Sequence, residues 1–267
     1  MASPMKDTLS IVTWNVNSLR ARMEHVTRWL GDHQPDVLCL QETKVADDQF
    51  PFEPLQQLGY QAAISGQKSY NGVAIVSRLP LEDVFVGFHG DGREEQKRLI
   101  AATVKGIRVV NAYVPQGSAV DSPKFAYKLE FLEQLAQYFA TRHDPEQELA
   151  WVGDINVAPR ADDVFDAEEM EGEVCFHPAE REALERIRQW GFHDQFRKFE
   201  QRSGFYSWWD YRAAAFRRNR GLRIDLIWAS EPLSRRSVSC WMDREERVRG
   251  RASDHIPVMA AFERGMD

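Results

Sequence analysis

The sequence of 267 residues is poor in cysteine and has no long apolar run. Its three cysteines, Cys39, Cys175 and Cys240, are odd in number and widely spaced, so they cannot all pair and form no CxxC metal clip. This usage indicates a reducing compartment. No apolar stretch approaches the roughly 20 residues that cross a bilayer, and the first residues, MASPMKD, lack the apolar segment of a secretory signal. We therefore expect a cytoplasmic protein that does not associate with a membrane.

Several catalytic motifs and an excess of positive charge are also missing. There is no glycine-rich phosphate loop, no GxSxG elbow and no dinucleotide-binding fingerprint, so nucleoside-triphosphate, acyl-transfer and hydride-transfer chemistry have no support. The 34 basic residues face 41 acidic ones, for a net charge of −7. This balance argues against a nucleic-acid binder that works by general basicity. A local basic patch can still contact phosphate beside carboxylates that hold Mg²⁺.

The apolar residues are distributed as in a single large α/β domain. They make up 43% of the chain, which is enough to bury a sizeable core. Three helices are predicted, at residues 21–33, 123–142 and 178–190, from apolar stripes and proline starts. Short apolar or alternating runs predict strands at residues 9–14, 36–41, 72–76, 99–104, 107–114, 149–152, 224–228 and 256–262. Without repeats or a flexible linker, we expect one domain over 1–267, with a core at about 8–264 and helices packed outside sheets.

One segment has an unusual composition. Residues 162–173 contain seven acidic residues and no basic one. Because runs of like charge usually stay in water, the segment is predicted to be a solvated loop.

Polar side chains stand at the ends of the predicted strands. Asn15 and Asn17 leave the same face of a strand, and Asp154 and Asn156 repeat this spacing. Taken singly, each such residue is more often a turn former than a ligand. Their combination is informative, since one cleft at a sheet edge can gather the whole set, which also includes Glu42, Asp225, Asp254 and His255.

This set contains the groups needed for phosphodiester hydrolysis. Its hard oxygen ligands suit Mg²⁺ or Mn²⁺, and the lack of a Cys/His cluster disfavours zinc. A carboxylate or imidazole can activate water for in-line attack while the metal neutralises charge on the phosphoryl oxygens. Asp225 interrupts an apolar strand and is costly to bury unless it is paired. His255 is its natural partner.

Arginines cluster shortly after an aromatic run. Phe205 to Trp209 read FYSWW, and the arginines follow between Asp210 and Asp225 with no intervening acid: Arg212, Arg217, Arg218, Arg220 and Arg223. Aromatic rings beside arginines can stack on a base or sugar while the cations hold phosphates. A core aromatic cluster with a solvated basic face explains this segment equally well.

The ordered motifs of the chain resemble those of the exonuclease III family of abasic-site endonucleases. A lone SDHxP or GDxN motif is weak, but nine blocks in order cover nearly the whole chain and are highly specific. The blocks are WNVNSLRAR (14–22), QETK (41–44), NGVAIVSR (71–78), NAYVPQG (111–117), GDINVAP (153–159), FHPAERE (176–182), YSWWDYR (206–212), RGLRIDLI (220–227) and SDHIPV (253–258). The resemblance implies a four-layer α/β sandwich, in which two packed, mainly antiparallel or mixed β-sheets are flanked by helices.

The resemblance also implies catalytic roles. Glu42 matches the principal metal ligand, with Asn15 nearby and Asp254 completing the site. Tyr113 matches a tyrosine that contacts the scissile phosphate. Asp154 matches the aspartate that orients or deprotonates water, and Asn156 matches its partner in stabilising the transition state. His255 matches the catalytic histidine, held by Asp225. We also predict Asp154, Asn156 and His255 as residues of the metal site. The sequence leaves open whether Asp154 or His255 is the general base.

Other matched positions concern the substrate. Trp208, Leu222 and Ile224 match an apolar pocket that receives a baseless deoxyribose. Asn17 and Gln116 stand where the human abasic endonuclease has an aspartate and an asparagine, and both match the bacterial branch. We expect DNA contacts from these five residues together with Lys44, Arg212 and Arg217.

The implied function is hydrolysis of the phosphodiester bond 5′ to an abasic site, which leaves a 3′-hydroxyl, together with 3′–5′ exonuclease and 3′-end-cleaning activity. The substrate is double-stranded DNA with abasic sites or 3′ ends, and the protein is expected to act as a monomer.

Three alternatives differ in substrate or in chemistry. The first is a less specific metal-dependent DNA phosphodiesterase of the wider endonuclease/exonuclease/phosphatase superfamily. The second is a lipid or inositol phosphodiesterase on the same scaffold, which would be expected to carry an exposed apolar loop that the sequence lacks. The third is a catalytically silent DNA-binding homologue. The expected residue type at every catalytic position argues against it.

Overall fold

Two mixed β-sheets pack face to face in the computed structural model, which describes residues 8–90 and 96–265. With helices on the outside, this arrangement confirms the four-layer sandwich. The expectation about the first seven residues and the outer limits of the 1–267 domain lie outside the described residues. Within the described ranges, no helix has both the length and the apolar character needed to cross a membrane.

Each sheet has six strands and one parallel pairing, β1 with β2 or β7 with β8. In spatial order, the first sheet contains β11 (Ser237–Met242), β12 (Val258–Glu263), β1 (Thr8–Asn15), β2 (Val37–Gln41), β4 (Val73–Ser77) and β3 (Gln61–Ser65). The second contains β5 (Glu82–Val86), β6 (Leu99–Val104), β7 (Ile107–Tyr113), β8 (Leu149–Asp154), β10 (Asp225–Ser230) and β9 (Phe192–Asp194).

The predicted strands are all inner strands, and the four that the sequence did not predict are the edges of the sheets. Inner strands such as β2 and β8 are buried along their whole length, so their sequences read as apolar runs. The edge strands β3, β5, β9 and β11 are partly exposed and carry polar residues, which removes the apolar signal.

The three predicted helices are present, and shorter ones join them. The helices are α1 (Leu19–His33), α2 (Phe52–Gln56), α3 (Pro123–Arg142), α4 (Ala167–Met170), α5 (Pro178–Arg188), α6 (Gln195–Phe199) and α7 (Glu231–Arg235). In α3 the Ser122 hydroxyl accepts the Phe125 backbone N–H and proline occupies the first turn, as the sequence predicts. Helix α5 ends two residues before the predicted end, because the chain after Arg188 tightens into hydrogen bonds between residues three apart.

The two sheets share an apolar core and a buried polar crossing near one end. Apolar side chains of β1 and β2 pack against those of β8 and β10. The Gln41 amide donates to Oδ1 of Asn111 at 2.7 Å, and the Asn111 amide donates to the carbonyls of Leu40 and Ala74. Because Gln41 precedes Glu42 and Asn111 lies two residues before Tyr113, this crossing fixes the relative position of two strand ends.

The prediction of a solvated loop at residues 162–173 is wrong for Asp163. This side chain is fully buried, and its carboxylate accepts hydrogen bonds from Arg197 and Arg223. Other acids of the segment, such as Glu168 and Glu173, are exposed as predicted. The two arginines lie 34 and 60 residues away along the chain, so no local pattern signals the pairing.

Candidate active site

The strand-end residues meet at one edge between the two sheets. In the first sheet the parallel pairing of β1 and β2 places Asn15 opposite Gln41 and therefore beside Glu42. In the second sheet Asp154 pairs with Tyr113 on one side and with Asp225 on the other. His255 precedes the last strand. These pairings gather side chains that lie more than 200 residues apart in sequence.

Asn15 connects the carboxylates of the two sheets. Its amide nitrogen lies 2.8 Å from Oε1 of Glu42 and 2.9 Å from Oδ2 of Asp154. The other oxygen of Glu42 lies 2.8 Å from Nζ of Lys44. Burial by itself would raise the pKa of Glu42, but hydrogen bonds from Lys44 and Asn15 outweigh it and lower the pKa. Glu42 is therefore ionised at neutral pH.

His255 lies between two buried carboxylates. Its Nδ1 is 2.8 Å from Oδ2 of Asp225, and its Nε2 is 3.8 Å from Oδ2 of Asp154. Burial would lower the pKa of His255, but Asp225 and Asp154 raise it to about 10. Burial raises the pKa of Asp154 to about 7, with His255 opposing the rise and Asp225 adding to it. Two carboxylates beside one imidazole favour the charged imidazolium form of His255.

A buried lysine holds the backbone of the site loops. Asn156 has a left-handed backbone, with φ of 54°, and its amide side chain donates to the carbonyl of Val114. Nζ of Lys128 donates to the carbonyl of Asn156 at 2.7 Å and to that of Gln116 at 3.1 Å, and it forms an ion pair with Glu180. Sequence reasoning missed Lys128, although Glu180 lies within the FHPAERE motif.

Asp254 connects the cluster to the predicted substrate wall. Its carboxylate accepts hydrogen bonds from the Asn17 amide and from Nε1 of Trp208, both at 3.0 Å. Nζ of Lys44 lies 2.6 Å from Oδ1 of Asn17. Burial would raise the pKa of Asp254, but His255 and the two hydrogen bonds lower it. Trp208 therefore has a polar role in addition to its apolar surface.

The donor set fits a hard divalent cation. Glu42, Asp154 and His255 each offer one ligand atom, and these three atoms lie within 4.8 Å of one another. The half-buried and buried carboxylate oxygens are the ligands that Mg²⁺ and Mn²⁺ prefer. Of the other predicted ligands, Asn15 and Asn156 lie beside this trio, whereas Asp254 is turned to Asn17 and Trp208.

An open cavity of about 730 Å³ extends from this cluster. Tyr113 lines the cavity together with Glu42 and Asp154, and the Arg98 guanidinium stacks 4.5 Å from its ring centroid. Burial raises the pKa of Tyr113 well above its usual value, and Glu42 and Asp154 add to the rise. The phenol is therefore a hydrogen-bond donor at neutral pH. The cavity is lined by further predicted residues, namely Gln116, Asn156, Trp208, Arg212, Leu222, Ile224 and Asp254.

Three apolar residues that the sequence did not indicate also line the cavity. They are Phe165, Met170 and Val174, and they line it together with Arg220 of the predicted arginine run. The first two belong to the acidic segment 162–173, where apolar residues between the acids were the only available signal. The segment assigned to solvent is therefore part of the pocket.

The arginine run has mixed roles. Arg223 is fully buried between Asp163 and Asp194 and cannot reach a phosphate. Arg212 is highly exposed but pairs with Asp210. Arg217 and Arg218 are exposed, and no acid among residues 8–90 and 96–265 lies within ion-pair distance of either. These two arginines are therefore able to contact a phosphate, although neither lines the cavity.

Comparisons with known proteins identify similar sequences and structures. The sequence pattern of the Endonuclease/Exonuclease/phosphatase family matches residues 12–255. The chain is 36% identical to "Exodeoxyribonuclease III" of Haemophilus influenzae, over 95% of this chain and 100% of that protein. It is similar to the structure of an AP endonuclease from Archaeoglobus fulgidus, with 42% identity, a TM-score of 0.92 and coverage of 95% and 99%. A 3′ phosphatase from Neisseria bound to a product DNA hairpin matches at 41% identity with a TM-score of 0.91, over 96% of this chain and 99% of that one.

Proposed function

We propose that this protein hydrolyses the phosphodiester bond 5′ to an abasic site. The chain belongs to the endonuclease/exonuclease/phosphatase family, and its similarity to exodeoxyribonuclease III and to AP endonucleases within that family makes it a DNA repair nuclease. The same site is proposed to remove nucleotides and blocking groups from 3′ ends, in keeping with the similar 3′ phosphatase and 3′–5′ exonuclease from Neisseria. One observation carries the proposal. The apolar wall of Trp208, Leu222 and Ile224 and the cluster of Asp154 and His255 line one continuous cavity, so a sugar can rest beside the reacting groups.

Mg²⁺ or Mn²⁺ is the proposed cofactor, with Glu42 and Asp154 as its oxygen ligands and Asn15 orienting both carboxylates. When bound, the metal supplies neutralisation of charge on the phosphoryl and leaving oxygens. Tyr113, held by stacking with Arg98, donates its hydroxyl proton in a hydrogen bond to the phosphate. Asn156 is held at the Asp154 side of the site and is proposed to stabilise the transition state through its side chain.

Proton transfer is assigned by the surroundings of two residues. Asp154 is buried at the end of β8, where Oδ2 lies 2.9 Å from the Asn15 amide nitrogen and Oδ1 accepts the Asn156 backbone N–H, so its carboxylate is positioned to take a proton from an attacking water. His255 is held by Asp225 through Nδ1, which leaves Nε2 to donate toward a phosphoryl oxygen. We therefore propose Asp154 as the general base and His255 as the charged donor.

The partner is double-stranded DNA. We propose that the exposed Arg217 and Arg218 hold phosphates of the duplex, and that Lys44, Asn17 and Gln116 contact the scissile strand beside Glu42 and the cavity. The protein is proposed to act as a monomer. Light scattering, alone and with a short duplex, measures this directly.

The test uses three matched duplexes with Mg²⁺: one with an abasic site, one with a recessed 3′ end and one intact. The proposal expects incision 5′ to the abasic site with a 3′-hydroxyl product, identified by extension with a polymerase. Equal cleavage of intact and abasic duplexes would favour the less specific phosphodiesterase. Tight binding without cleavage would favour the silent DNA-binding homologue.

A further inference from the structure

Arg220, which lines the cavity, contacts two residues of the acidic segment 162–173. Its Nη2 lies 2.5 Å from Oε1 of Glu169, and its guanidinium lies 4.0 Å from the ring centroid of Phe165. Arg220 and Phe165 both line the cavity. One side chain therefore connects the arginine-rich loop to the acidic segment through an ion pair and a cation–π contact.

Resting on the proposed function, we propose that this bridge sets the preference of the enzyme for an abasic sugar over a complete nucleotide. Abasic incision and 3′-nucleotide removal cut the same bond, on the 5′ side of the residue in the pocket. The two substrates differ in that one residue lacks a base. Phe165 and Met170 line the same cavity as Trp208 and pack with it against the apolar cluster of Leu222 and Ile224, so by holding Phe165 in place the bridge limits the room available to a base.

The ion pair of the bridge is weak, whereas the first residues of the acidic segment are held firmly. Asp163 is locked by Arg197 and Arg223, and Val164 pairs with Leu222 through a backbone bridge. The Arg220 and Glu169 side chains are 42% and 53% exposed, and ion pairs in such positions are weak. The Arg220–Glu169 pair can therefore break while the rest of the segment stays folded. We accordingly expect a modest effect of the pair on the preference for an abasic sugar over a complete nucleotide.

A matched pair of acid variants tests the bridge. Glu169→Gln breaks the ion pair at the cavity. Glu171→Gln breaks a similar pair with Arg181, 2.6 Å long, whose arginine also stacks on a ring, Phe176. Neither Glu171 nor Arg181 lines the catalytic cavity. The two variants thus make the same chemical change in the same segment, but only the Glu169 pair includes a residue that lines the cavity, Arg220.

The measurement is the ratio of kcat/KM for a recessed 3′ nucleotide to kcat/KM for an internal tetrahydrofuran abasic analogue. Glu169→Gln is expected to raise this ratio about two- to fivefold, in keeping with the weakness of an exposed ion pair. Glu171→Gln is expected to leave it unchanged. The double exchange Glu169→Arg with Arg220→Glu restores the ion pair without the stacking on Phe165, so it should return the ratio part of the way to wild type.

An unchanged ratio in Glu169→Gln, or an equal change of the ratio in Glu171→Gln, overturns the proposal that the bridge sets the preference. If the wild-type protein does not incise the abasic duplex, the proposed function has failed. The bridge is then judged by the ratio between a complete 3′-terminal nucleotide and a 3′-terminal tetrahydrofuran residue on the same recessed end, and an unchanged ratio again overturns it. Thermal unfolding of each variant shows whether the segment remains folded.

Discussion

Nδ1 of His255 lies 2.8 Å from Oδ2 of Asp225, and neither side chain is exposed by more than 5%. The Asp225 carboxylate contacts the imidazole directly and is not among the residues whose ligand atoms cluster, so we expect it to act on the imidazole. Asp225→Asn is expected to lower kcat by orders of magnitude, because the imidazole loses the partner that fixes its orientation and its charged form. The metal concentration for half-activity should stay nearly constant. A large rise in that concentration, with kcat recovered at saturating metal, would make Asp225 a ligand.

Metal dependence is expected from the carboxylates of Glu42 and Asp154. Excess chelator should abolish cleavage, and added Mg²⁺ or Mn²⁺ should restore it. Glu42→Gln removes one anionic ligand and should raise the half-activating metal concentration. Asn156→Ala, the comparison variant, should reduce kcat with a much smaller change in that concentration. Full activity of a rigorously metal-free preparation would contradict the mechanism.

Trp208 combines an apolar wall with a hydrogen bond to Asp254. Trp208→Phe keeps a ring and loses the hydrogen bond, whereas Trp208→Ala loses both. The alanine variant is expected to lose about 1–3 kcal/mol in kcat/KM on abasic DNA, if the indole mainly stacks on the substrate. The alanine variant should also have a smaller preference for abasic over intact duplex. The phenylalanine variant should retain most of this preference. Equal losses on both duplexes would make Trp208 a general DNA contact.

DNA affinity should depend on few cations, since the net charge of the protein is −7. Replacing Arg217 and Arg218 by Gln is expected to flatten the slope of log K against log[salt] by up to about one unit for each phosphate that an arginine no longer neutralises. Arg212→Gln should have a smaller effect, because Arg212 already pairs with Asp210. Arg235→Gln is the control, an exposed arginine of α7 paired with Glu231. An unchanged slope in the double variant would mean that other residues bind the phosphates.

The Lys128–Glu180 ion pair is fully buried behind the active site. Lys128→Met leaves Glu180 without its cation and is expected to lower the free energy of unfolding by about 3–5 kcal/mol. Adding Glu180→Gln removes the stranded charge and should recover part of this loss. Urea unfolding of the two single variants and the double variant measures the coupling. Strictly additive losses would show that the two side chains act independently.

Much of the architecture could be predicted because local patterns encode it. The eight inner strands contain apolar or alternating runs, and α3 has its proline start and serine cap in adjacent positions. The edge strands lack such patterns. Each edge strand has a face or an end that contacts water. Its position follows from hydrogen bonds to a neighbouring strand, which the local sequence does not identify.

The sequence by itself determined which residues gather at the candidate site. Asn15, Glu42, Asp154 and His255 stand at strand ends in ordered motifs, and the parallel and antiparallel pairings bring those ends together. Tertiary structure alone decided which charges are available. Asp163 lies in a segment predicted to be solvated, but it forms a buried ion pair with Arg223. Lys128 gave no signal in the sequence, but it binds the backbone carbonyl of Asn156 in the interior. A charge stays buried only where distant partners meet it, and the distance along the chain hides those partners from any local pattern.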